Sequence, residues 1–314
     1  MDLTNAYQLY LDNQIIKNKK IPLDVFIISN CSLSIKREDQ LHSHISGNKF
    51  RKLKYNLLQA QNDQFDTLLT FGGAFSNHIV AVASAGKEFG FKTVGVIRGE
   101  ELKNKVELNP TLSFAKDCGM QFHFISREEY RLKTDLNSIK KLHDLFGNCY
   151  LIPEGGTNDL AIKGCKEILT KNDSEFDYIC TSVGTGGTLA GLVESSLPHQ
   201  TVLGFSALKG TFQSSEVKKY TSKKNFRIID DYCLGGYAKI DMQLIRFINE
   251  FKEKTQIQLD PVYTGKMMYG IMDLLKRKKL KENSRILAIH TGGLQGITGM
   301  NQLLKKKNLP QINI

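Results

Sequence analysis

The sequence lacks the features of a membrane, secreted or metal-binding protein. Its apolar runs fall short of the roughly 20 residues that a membrane-spanning helix needs, and no positively charged and then apolar leader opens the chain. We therefore expect a soluble, cytoplasmic protein. The six cysteines are scattered singly, without the paired Cys or His spacing of a zinc site. We expect reduced thiols and no bound metal.

The sequence has few acidic residues relative to basic ones. It contains 32 Asp and Glu and 43 Lys and Arg, which gives a formal net charge of +11. A basic protein can bind nucleic acid. Here, however, the basic residues fall in separate short runs at 17–20, 276–279 and 305–307, which is typical of helix ends and solvated faces. We expect neither a nucleic-acid partner nor a membrane partner. A nucleic-acid-binding or anion-binding protein without catalysis stays the alternative of a different class.

Linkers rich in Pro, Ser or Gly are also missing, and strand-like and helix-like segments alternate instead. The predicted strands are 67–70, 93–97, 121–125, 150–152, 178–182, 202–207 and 285–290. The predicted helices are 77–86, 109–118, 128–146, 160–169, 189–195, 242–254 and 267–275. This repeated order predicts parallel sheets flanked by helices, in which ligands bind beyond the carboxyl ends of the strands.

A lysine at the start of a predicted helix is the first candidate site residue. Lys49 follows Ser46-Gly47-Asn48 and opens an amphipathic segment. The positive end of the helix dipole disfavours an ammonium there, so a lysine with a lowered pKa, able to form an imine, suits the position. The alternative on local grounds is a solvated basic helix start.

The segment Phe71-Gly-Gly-Ala-Phe-Ser-Asn-His78 lies between a predicted strand and a predicted helix. Ser76 or Asn77 can cap this helix. The functional interpretation is that their hydroxyl and amide groups face a site at the carboxyl end of the strand, where backbone N–H groups could bind a substrate carboxylate. His78 could act as a base, although a single histidine within a helix is more often packed.

A glycine-rich loop follows the predicted strand 178–182 and precedes a helix. Its residues are Gly184, Thr185, Gly186, Gly187 and Thr188. Strand, glycine-rich loop and helix form a phosphate-binding cup, because the backbone N–H groups can approach the anion closely. The loop lacks the Lys of a Walker sequence and departs from GxGxxG, so it predicts a phosphate but no ordinary nucleotide. A tight turn is the alternative.

Two segments near the C-terminus complete the candidate set. One is Asp260-Pro-Val-Tyr-Thr-Gly-Lys266, and the other is His290-Thr-Gly-Gly293. Thr291 follows a predicted strand, where its hydroxyl can meet a ring nitrogen. Tyr263 would supply a second hydroxyl, with a core or surface tyrosine as the alternative.

Together these motifs resemble fold type II pyridoxal-phosphate enzymes, and most closely the family of 1-aminocyclopropane-1-carboxylate deaminase and D-cysteine desulfhydrase. The resemblance implies pyridoxal 5'-phosphate and an α/β fold of two three-layer α/β/α domains with mainly parallel sheets, as in the tryptophan synthase beta chain. It implies a large cofactor-binding domain at 1–49 and 150–314 and a small substrate-side domain at 50–149. It also implies a homodimer acting on a small amino acid.

The resemblance also assigns roles to individual residues. It implies that Lys49 forms the Schiff base with the cofactor and that Asn77 contacts the cofactor's ring hydroxyl. It implies that Ser76 contacts substrate and relays protons, with Asn77 and His78 on the substrate side. The remaining implied residues are the phosphate loop Gly184, Thr185, Gly186, Gly187 and Thr188, the catalytic tyrosines Tyr263 and Tyr237, and Thr264 and Thr291 at the ring nitrogen.

Two of these positions bear on the reaction. Thr264 and Thr291 stand where the family's deaminases carry Glu and Leu. A hydroxyl beside the ring nitrogen leaves it less charged than a carboxylate does, so the electron sink is weaker. This favours α,β-elimination of a thiol, with Lys49 and Tyr263 taking the α-proton and with pyruvate, ammonia and sulfide as products. Ring-opening deamination of 1-aminocyclopropane-1-carboxylate is the alternative, together with a dehydratase or racemase reaction.

Overall fold

The computed structural model describes residues 3–13, 16–26, 28 and 31–314. The α-helices α1 to α12 are Leu3–Asn13, Asn48–Asn62, Asn77–Phe89, Pro110–Asp117, Arg127–Arg131, Leu136–Phe146, Asp159–Lys166, Gly187–Ser195, Gln213–Lys218, Met242–Thr255, Thr264–Lys276 and Gly296–Lys306. The strands β1 to β10 are Asn18–Ile21, Ser32–Lys36, Thr67–Gly72, Lys92–Arg98, Gln121–Ile125, Tyr150–Ile152, Tyr178–Val183, Thr201–Ser206, Phe226–Ile229 and Arg285–Ile289. Short 3-10 helices cover Leu23–Phe26, Glu38–Gln40, Glu100–Leu108, Glu154–Gly156 and Lys171–Asp173.

The strands form two sheets. The larger has the order β1-β2-β10-β7-β8-β9 and the smaller the order β5-β4-β3-β6. Every neighbouring pair is parallel except β1 with β2, which confirms the predicted α/β class with mainly parallel sheets. All six residues of β3 are buried, as expected for a parallel strand that is covered by helices on both faces.

Separate apolar cores cover the faces of the two sheets. One large core lies between the larger sheet and the helices α10 and α11, and includes Phe205, Phe251 and Met268. The core at the smaller sheet joins that sheet to α1, α2 and α3, and includes Tyr7 and Phe50. The ring centroids of Tyr7 and Phe50 are 4.6 Å apart. The N-terminal helix therefore packs on the smaller-sheet core, not on the larger sheet as the prediction for 1–49 implied.

The predicted boundary at residues 149 and 150 falls just before β6, and β6 belongs to the smaller sheet. The smaller sheet therefore extends past that boundary.

The single helix predicted at 128–146 is two helices in the structure, α5 and α6. The side chain of Asp135 accepts a hydrogen bond from the Asn137 N–H and so caps a new helix at that point.

Three strands and three α-helices were not predicted: β1, β2, β9, α1, α9 and α12. The strand β1 carries two exposed lysines on the edge of the larger sheet, where lysine protects an edge from further pairing. Within the described part of the chain, none of the helices has the length and apolar composition needed to cross a membrane.

Candidate cofactor and substrate site

A cavity of about 830 Å³ lies where the carboxyl ends of strands from both sheets face each other. Its wall on the side of the smaller sheet comes from the loops after β3 and β6, from Arg98 at the end of β4, and from Lys133 and Thr134. Its wall on the side of the larger sheet comes from the loops after β7 and β10 and from the start of α8. The predicted site residues in the lining are Lys49, Ser76, Asn77, His78, Gly184, Thr185, Gly186, Gly187, Thr188, Tyr237, Tyr263 and Thr291.

Lys49 is held by the close packing of its loop on the loop after β10. Gly47 has φ 61°, and a Cβ there would lie 2.1 Å from the Thr291 carbonyl oxygen, so only glycine fits. The Asn48 N–H donates to the same carbonyl over 3.3 Å. The first turn of α2 therefore lies against the Thr291 loop. Its Lys49 Nζ lines the cavity and donates to the Gly155 carbonyl oxygen over 3.3 Å.

A second lysine lies one helical turn further along α2, on the same side of the helix. Lys52 is 2 % exposed. Its Nζ donates to the Gly155 carbonyl over 2.9 Å and to Thr157 Oγ1 over 2.9 Å. Burial, and then the charge of Lys52, hold the pKa of Lys49 well below its ordinary value. Burial lowers the pKa of Lys52 to about 8. The lowered pKa of Lys49 favours its uncharged amine, which is the nucleophilic form.

The glycine-rich loop between β7 and α8 adopts the geometry of an anion cup. Gly186 has φ 90° at the start of α8, and no side chain caps this helix, so its first N–H groups lack partners within the helix. A Cβ on Gly187 would lie 3.0 Å from Lys52 Nζ. The Asn48 amide donates to Thr188 Oγ1 over 2.8 Å. N–H groups and an ammonium therefore converge on one point, which suits a phosphate.

The loop after β3 places its polar residues at the same cavity. Ser76 caps α3, since its Oγ accepts from the N–H groups of His78 and Ile79 over 3.2 and 3.4 Å. This leaves the Ser76 O–H free to donate into the cavity. The Asn77 Nδ2 lies 2.7 Å from the position that a Cβ on Gly293 would take, so Asn77 lies against the loop after β10.

His78 is 2 % exposed, and its Nε2 shares a 2.8 Å hydrogen bond with Thr70 Oγ1. Its Nδ1 is buried without a hydrogen-bond partner among the described residues. Burial, and then the charges of Lys49 and Lys52, hold the pKa of His78 well below its ordinary value. His78 is therefore a neutral, packed ring in the cavity wall.

The two threonines predicted at a ring nitrogen have different surroundings. Thr291 Oγ1 lines the cavity and shares a 3.0 Å hydrogen bond with Ser182 Oγ. Thr264 is fully buried and is absent from the cavity lining. Its hydroxyl donates to Asp260 Oδ1 over 2.7 Å and accepts from the Asp260 N–H over 2.9 Å. Thr264 therefore fixes the turn at the start of α11, and the structure does not bring its hydroxyl to the site.

Two tyrosines cover one end of the cavity. The ring centroids of Tyr237 and Tyr263 are 6.2 Å apart, and a Cβ on Gly184 would lie 3.3 Å from the Tyr263 ring. Burial raises the pKa of Tyr263 well above its ordinary value, and burial is also the first cause of the raised pKa of Tyr237. Both phenols therefore stay protonated and can donate hydrogen bonds.

Sequence reasoning missed several residues of the lining. These are Asn48, Lys52, Thr157, Ser182 and Asp260. For Lys52 the signal was present, because residues three apart on a helix share one face. Asn48 and Asp260 lie in motifs singled out in the sequence, and Ser182 ends the predicted strand before the glycine-rich loop, so their positions also pointed to the site.

A parallel α/β fold with a half-buried lysine of lowered pKa beside a glycine-rich helix start is the arrangement expected of an enzyme with a phosphorylated carbonyl cofactor. The comparison with protein families agrees, because the family model described as "Pyridoxal-phosphate dependent enzyme" matches residues 21–292. The chain belongs to this family, and pyridoxal phosphate is its cofactor. The residues present fit the cofactor, since Lys49, Lys52 and the N-terminus of α8 meet at one end of the cavity.

Known proteins similar to the chain carry two activities in their names. A bifunctional D-cysteine desulfhydrase/1-aminocyclopropane-1-carboxylate deaminase, mitochondrial, of Arabidopsis thaliana is 31% identical over 84% of this chain and 73% of its own length. A D-cysteine desulfhydrase of Klebsiella pneumoniae is 25% identical over 82% of this chain and 86% of its own length. The crystal structure of an ACC deaminase homologue has a TM-score of 0.79 at 28% identity, covering 93% of both chains.

Proposed function

We propose that this enzyme catalyses α,β-elimination on a small amino acid, in the manner of a D-cysteine desulfhydrase. The observation that carries the proposal is the pair of hydroxyls, Thr291 and Ser182, joined by a 3.0 Å hydrogen bond in the cavity wall. A hydroxyl there leaves a ring nitrogen less charged than a carboxylate would. A weaker electron sink suffices to expel a good leaving group such as sulfide.

The start of α8 in the larger-sheet wall, together with residues of α2 and of the start of α3, would hold the cofactor. Pyridoxal phosphate, when bound, supplies an electron sink for the electrons left at Cα. We assign the phosphate to the N–H groups at the start of α8 and to Lys52, and the ring hydroxyl to Asn77. We assign the covalent attachment to Lys49 Nζ, whose lowered pKa keeps it nucleophilic.

The residues of the smaller-sheet wall would hold the substrate and move protons. The Ser76 hydroxyl and the N–H groups of its loop would bind the substrate carboxylate, beside the neutral ring of His78. Lys49, released when the substrate amine takes its place, would accept the α-proton. Tyr263 and Tyr237, both protonated, would donate hydrogen bonds at the β-substituent. With water the products are pyruvate, ammonium and sulfide, so no oxidant or reductant is consumed.

Ring opening of 1-aminocyclopropane-1-carboxylate is the second candidate, and a specific observation favours it. Asp260 is 1 % exposed and lies in the cavity wall beside Gly293, where a Cβ would be 3.4 Å from its carboxyl carbon. A carboxylate in this wall could strengthen the electron sink. However, its oxygens already accept hydrogen bonds from Val262, Tyr263 and Thr264.

A direct comparison of the two substrates tests the proposal. The purified holoenzyme is given D-cysteine, L-cysteine and 1-aminocyclopropane-1-carboxylate, and the release of 2-oxo acid and sulfide is followed. We expect pyruvate and sulfide in equal amounts from a cysteine enantiomer and a much smaller kcat/KM for the cyclopropane. If 2-oxobutanoate from the cyclopropane forms faster, ring opening is the function and the argument from Thr291 is wrong. Serine in the same screen tests a dehydratase.

We propose in addition a cytoplasmic homodimer. All six cysteines are free thiols, which suits a reducing compartment. Large apolar side chains are exposed near the cavity mouth, with Phe212 at 58% and Leu303 at 43%, and a second subunit would cover such side chains. Light scattering of the purified protein tests the dimer, and a monomeric mass would contradict it.

A further inference from the structure

A group of charged side chains surrounds Tyr130 at the substrate side of the cavity. Its members are Arg98, Lys133 and Glu154, all three of which line the cavity. The Arg98 guanidinium lies 5.7 Å from the centre of the Tyr130 ring, and Lys133 Nζ lies 4.8 Å from the same centre. The Tyr130 hydroxyl donates to Glu154 over 2.7 Å. The three charged groups therefore lie around one fixed aromatic ring.

The charges in this group do not cancel. Glu154 forms an ion pair with Lys133 over 3.2 Å and also accepts the hydrogen bond from Tyr130. Arg98 has no carboxylate within 4.0 Å among the residues that the structure describes. The other lining carboxylates are engaged elsewhere, because Glu216 pairs with Lys219 and Asp260 accepts bonds within its own turn. Within the group around Tyr130, the positive charge of Arg98 is therefore left without a carboxylate partner.

The position of Arg98 is set by the parallel register of the smaller sheet. Gly72 in β3 pairs with Ile97 in β4, so Arg98 leaves β4 beside the start of the loop that leads to Ser76. Its Nη2 lies 3.7 Å from the place that a Cβ on Gly73 would take. The guanidinium thus lies over the loop that carries Ser76. Because Arg98 is exposed while Ser76 is half-buried, Arg98 lies nearer the entrance.

We propose that Arg98 determines specificity by binding a second negative charge, carried by the β-substituent of the substrate. This rests on the proposed elimination at Lys49. A planar guanidinium binds a carboxylate through two parallel hydrogen bonds, and such charge-assisted bonds are stronger than neutral ones. The preferred substrates are therefore amino acids whose leaving group is itself acidic. Cysteine S-conjugates with a terminal carboxylate belong to this class.

The reaction with such a conjugate balances without a further reactant. The α-proton is removed, the bond between Cβ and sulfur breaks, and its electron pair leaves with the sulfur. S-Carboxymethylcysteine and water would give pyruvate, ammonium and thioglycolate. S-Carbamoylmethylcysteine has nearly the same shape and differs by one charge, so the pair isolates the effect of Arg98.

The experiment compares kcat/KM for the acid and the amide in the holoenzyme, with both enantiomers of each. We expect the wild type to prefer the acid by about 10-fold, the size expected from one charge-assisted pair. In Arg98→Gln the ratio should fall to about one, and Arg98→Lys should retain part of it. Arg127→Gln is the control, because Arg127 pairs with Glu101 outside the cavity lining and should leave the ratio unchanged.

Two results would overturn the inference. One is a wild-type ratio near one, and the other is an equal loss for acid and amide in Arg98→Gln, which would mean that Arg98 binds the α-carboxylate. Calorimetric binding of both compounds to the holoenzyme supplies a second readout. If no amino acid in the screen releases a 2-oxo acid, the proposed function fails, whereas tighter binding of the acid that disappears in Arg98→Gln would still support the charge preference. Equal binding of acid and amide would refute it.

Discussion

The two walls of the cavity are built in different ways. At the start of α8 and in the loop after β10, the wall from the larger sheet consists of backbone and buried side chains, with Thr188 4% and Thr291 7% exposed and with Gly186 and Gly292 at positive φ. The wall from the smaller sheet presents exposed side chains, among them Arg98 and Phe75, which is 44% exposed. A wall shaped by backbone suits a ligand that is the same in all relatives, such as the cofactor. A wall of exposed side chains can differ between relatives that share the cofactor and differ in substrate.

Lys49 lies between the two walls, and its loss should have the largest effect. In Lys49→Ala we expect kcat/KM to fall by at least about 10³-fold, because both the attachment of the cofactor and the base at Cα are removed. The visible absorbance of the bound cofactor should change as well. Lys54→Ala is the control, since Lys54 lies on the same helix but pairs with Glu167 outside the cavity lining. Borohydride trapping of the cofactor on Lys52 in the wild type would show that the assignment is wrong.

A substitution at Gly186 tests whether the backbone conformation of the larger-sheet wall determines cofactor affinity. With φ 90° and Val217 Cγ2 3.2 Å from the position of a Cβ, Gly186→Ala should strain and displace the loop. We expect cofactor affinity to fall about 10- to 100-fold, measured by equilibrium titration of the apoenzyme. Gly90→Ala is the matched control, because Gly90 has φ 80° with nothing within 4 Å and ends α3 far from the cup. Equal losses would mean that general destabilisation, not loop geometry, weakens binding.

The smallest effect concerns the charge of Lys52. Its pKa is about 8 in the folded protein and 10.5 ordinarily, so the unfolded chain binds more protons between these pH values. The free energy of unfolding of the apoenzyme should therefore rise from pH 8 to 10.5, by about 1–3 kcal/mol from this group. In Lys52→Met that contribution should disappear, and bound cofactor should reduce it in the wild type by pairing with the ammonium.

Chemical denaturation at several pH values measures this slope. Lys92→Met is the control, since the Lys92 side chain is 78% exposed and should leave the slope unchanged. A slope in Lys52→Met that equals the wild-type slope would mean that Lys52 is not the group responsible. Burial of the Lys52 ammonium beside the glycine-rich loop would then not lower the stability of the folded protein.

The parts of the fold and of the site that could be predicted are those specified by residues close together in the sequence. The order of β7, glycine-rich loop and α8 is contiguous, so the phosphate cup was visible in the sequence. The strand β2 was not, because Lys36 within it looks like a solvated residue. In the structure Lys36 is 3% exposed and pairs with Asp173, which lies 137 positions away along the chain. A long-range ion pair of this kind leaves no local pattern.

The threonines show the same limit within the site. Thr264 and Thr291 look equivalent as residues that follow an active-site motif. They differ because Thr264 begins α11, where Asp260 accepts a hydrogen bond from the Thr264 hydroxyl. Thr291, by contrast, lines the cavity. Residue type and spacing predicted a hydroxyl near the cofactor. Which of the two hydroxyls reaches it depends on side-chain direction, which spacing alone does not specify.

The carbonyl of Gly155 accepts hydrogen bonds from both Lys49 and Lys52, and the chain reaches it directly from β6, on the edge of the smaller sheet. Gly155 lies in the short 3-10 helix Glu154–Gly156, and α2, which carries both lysines, packs in the core of the same sheet. A shift of this one carbonyl would remove an acceptor from both lysine side chains at once. Two side chains of the site therefore depend on the placement of a single main-chain oxygen, in a segment outside the glycine-rich loop.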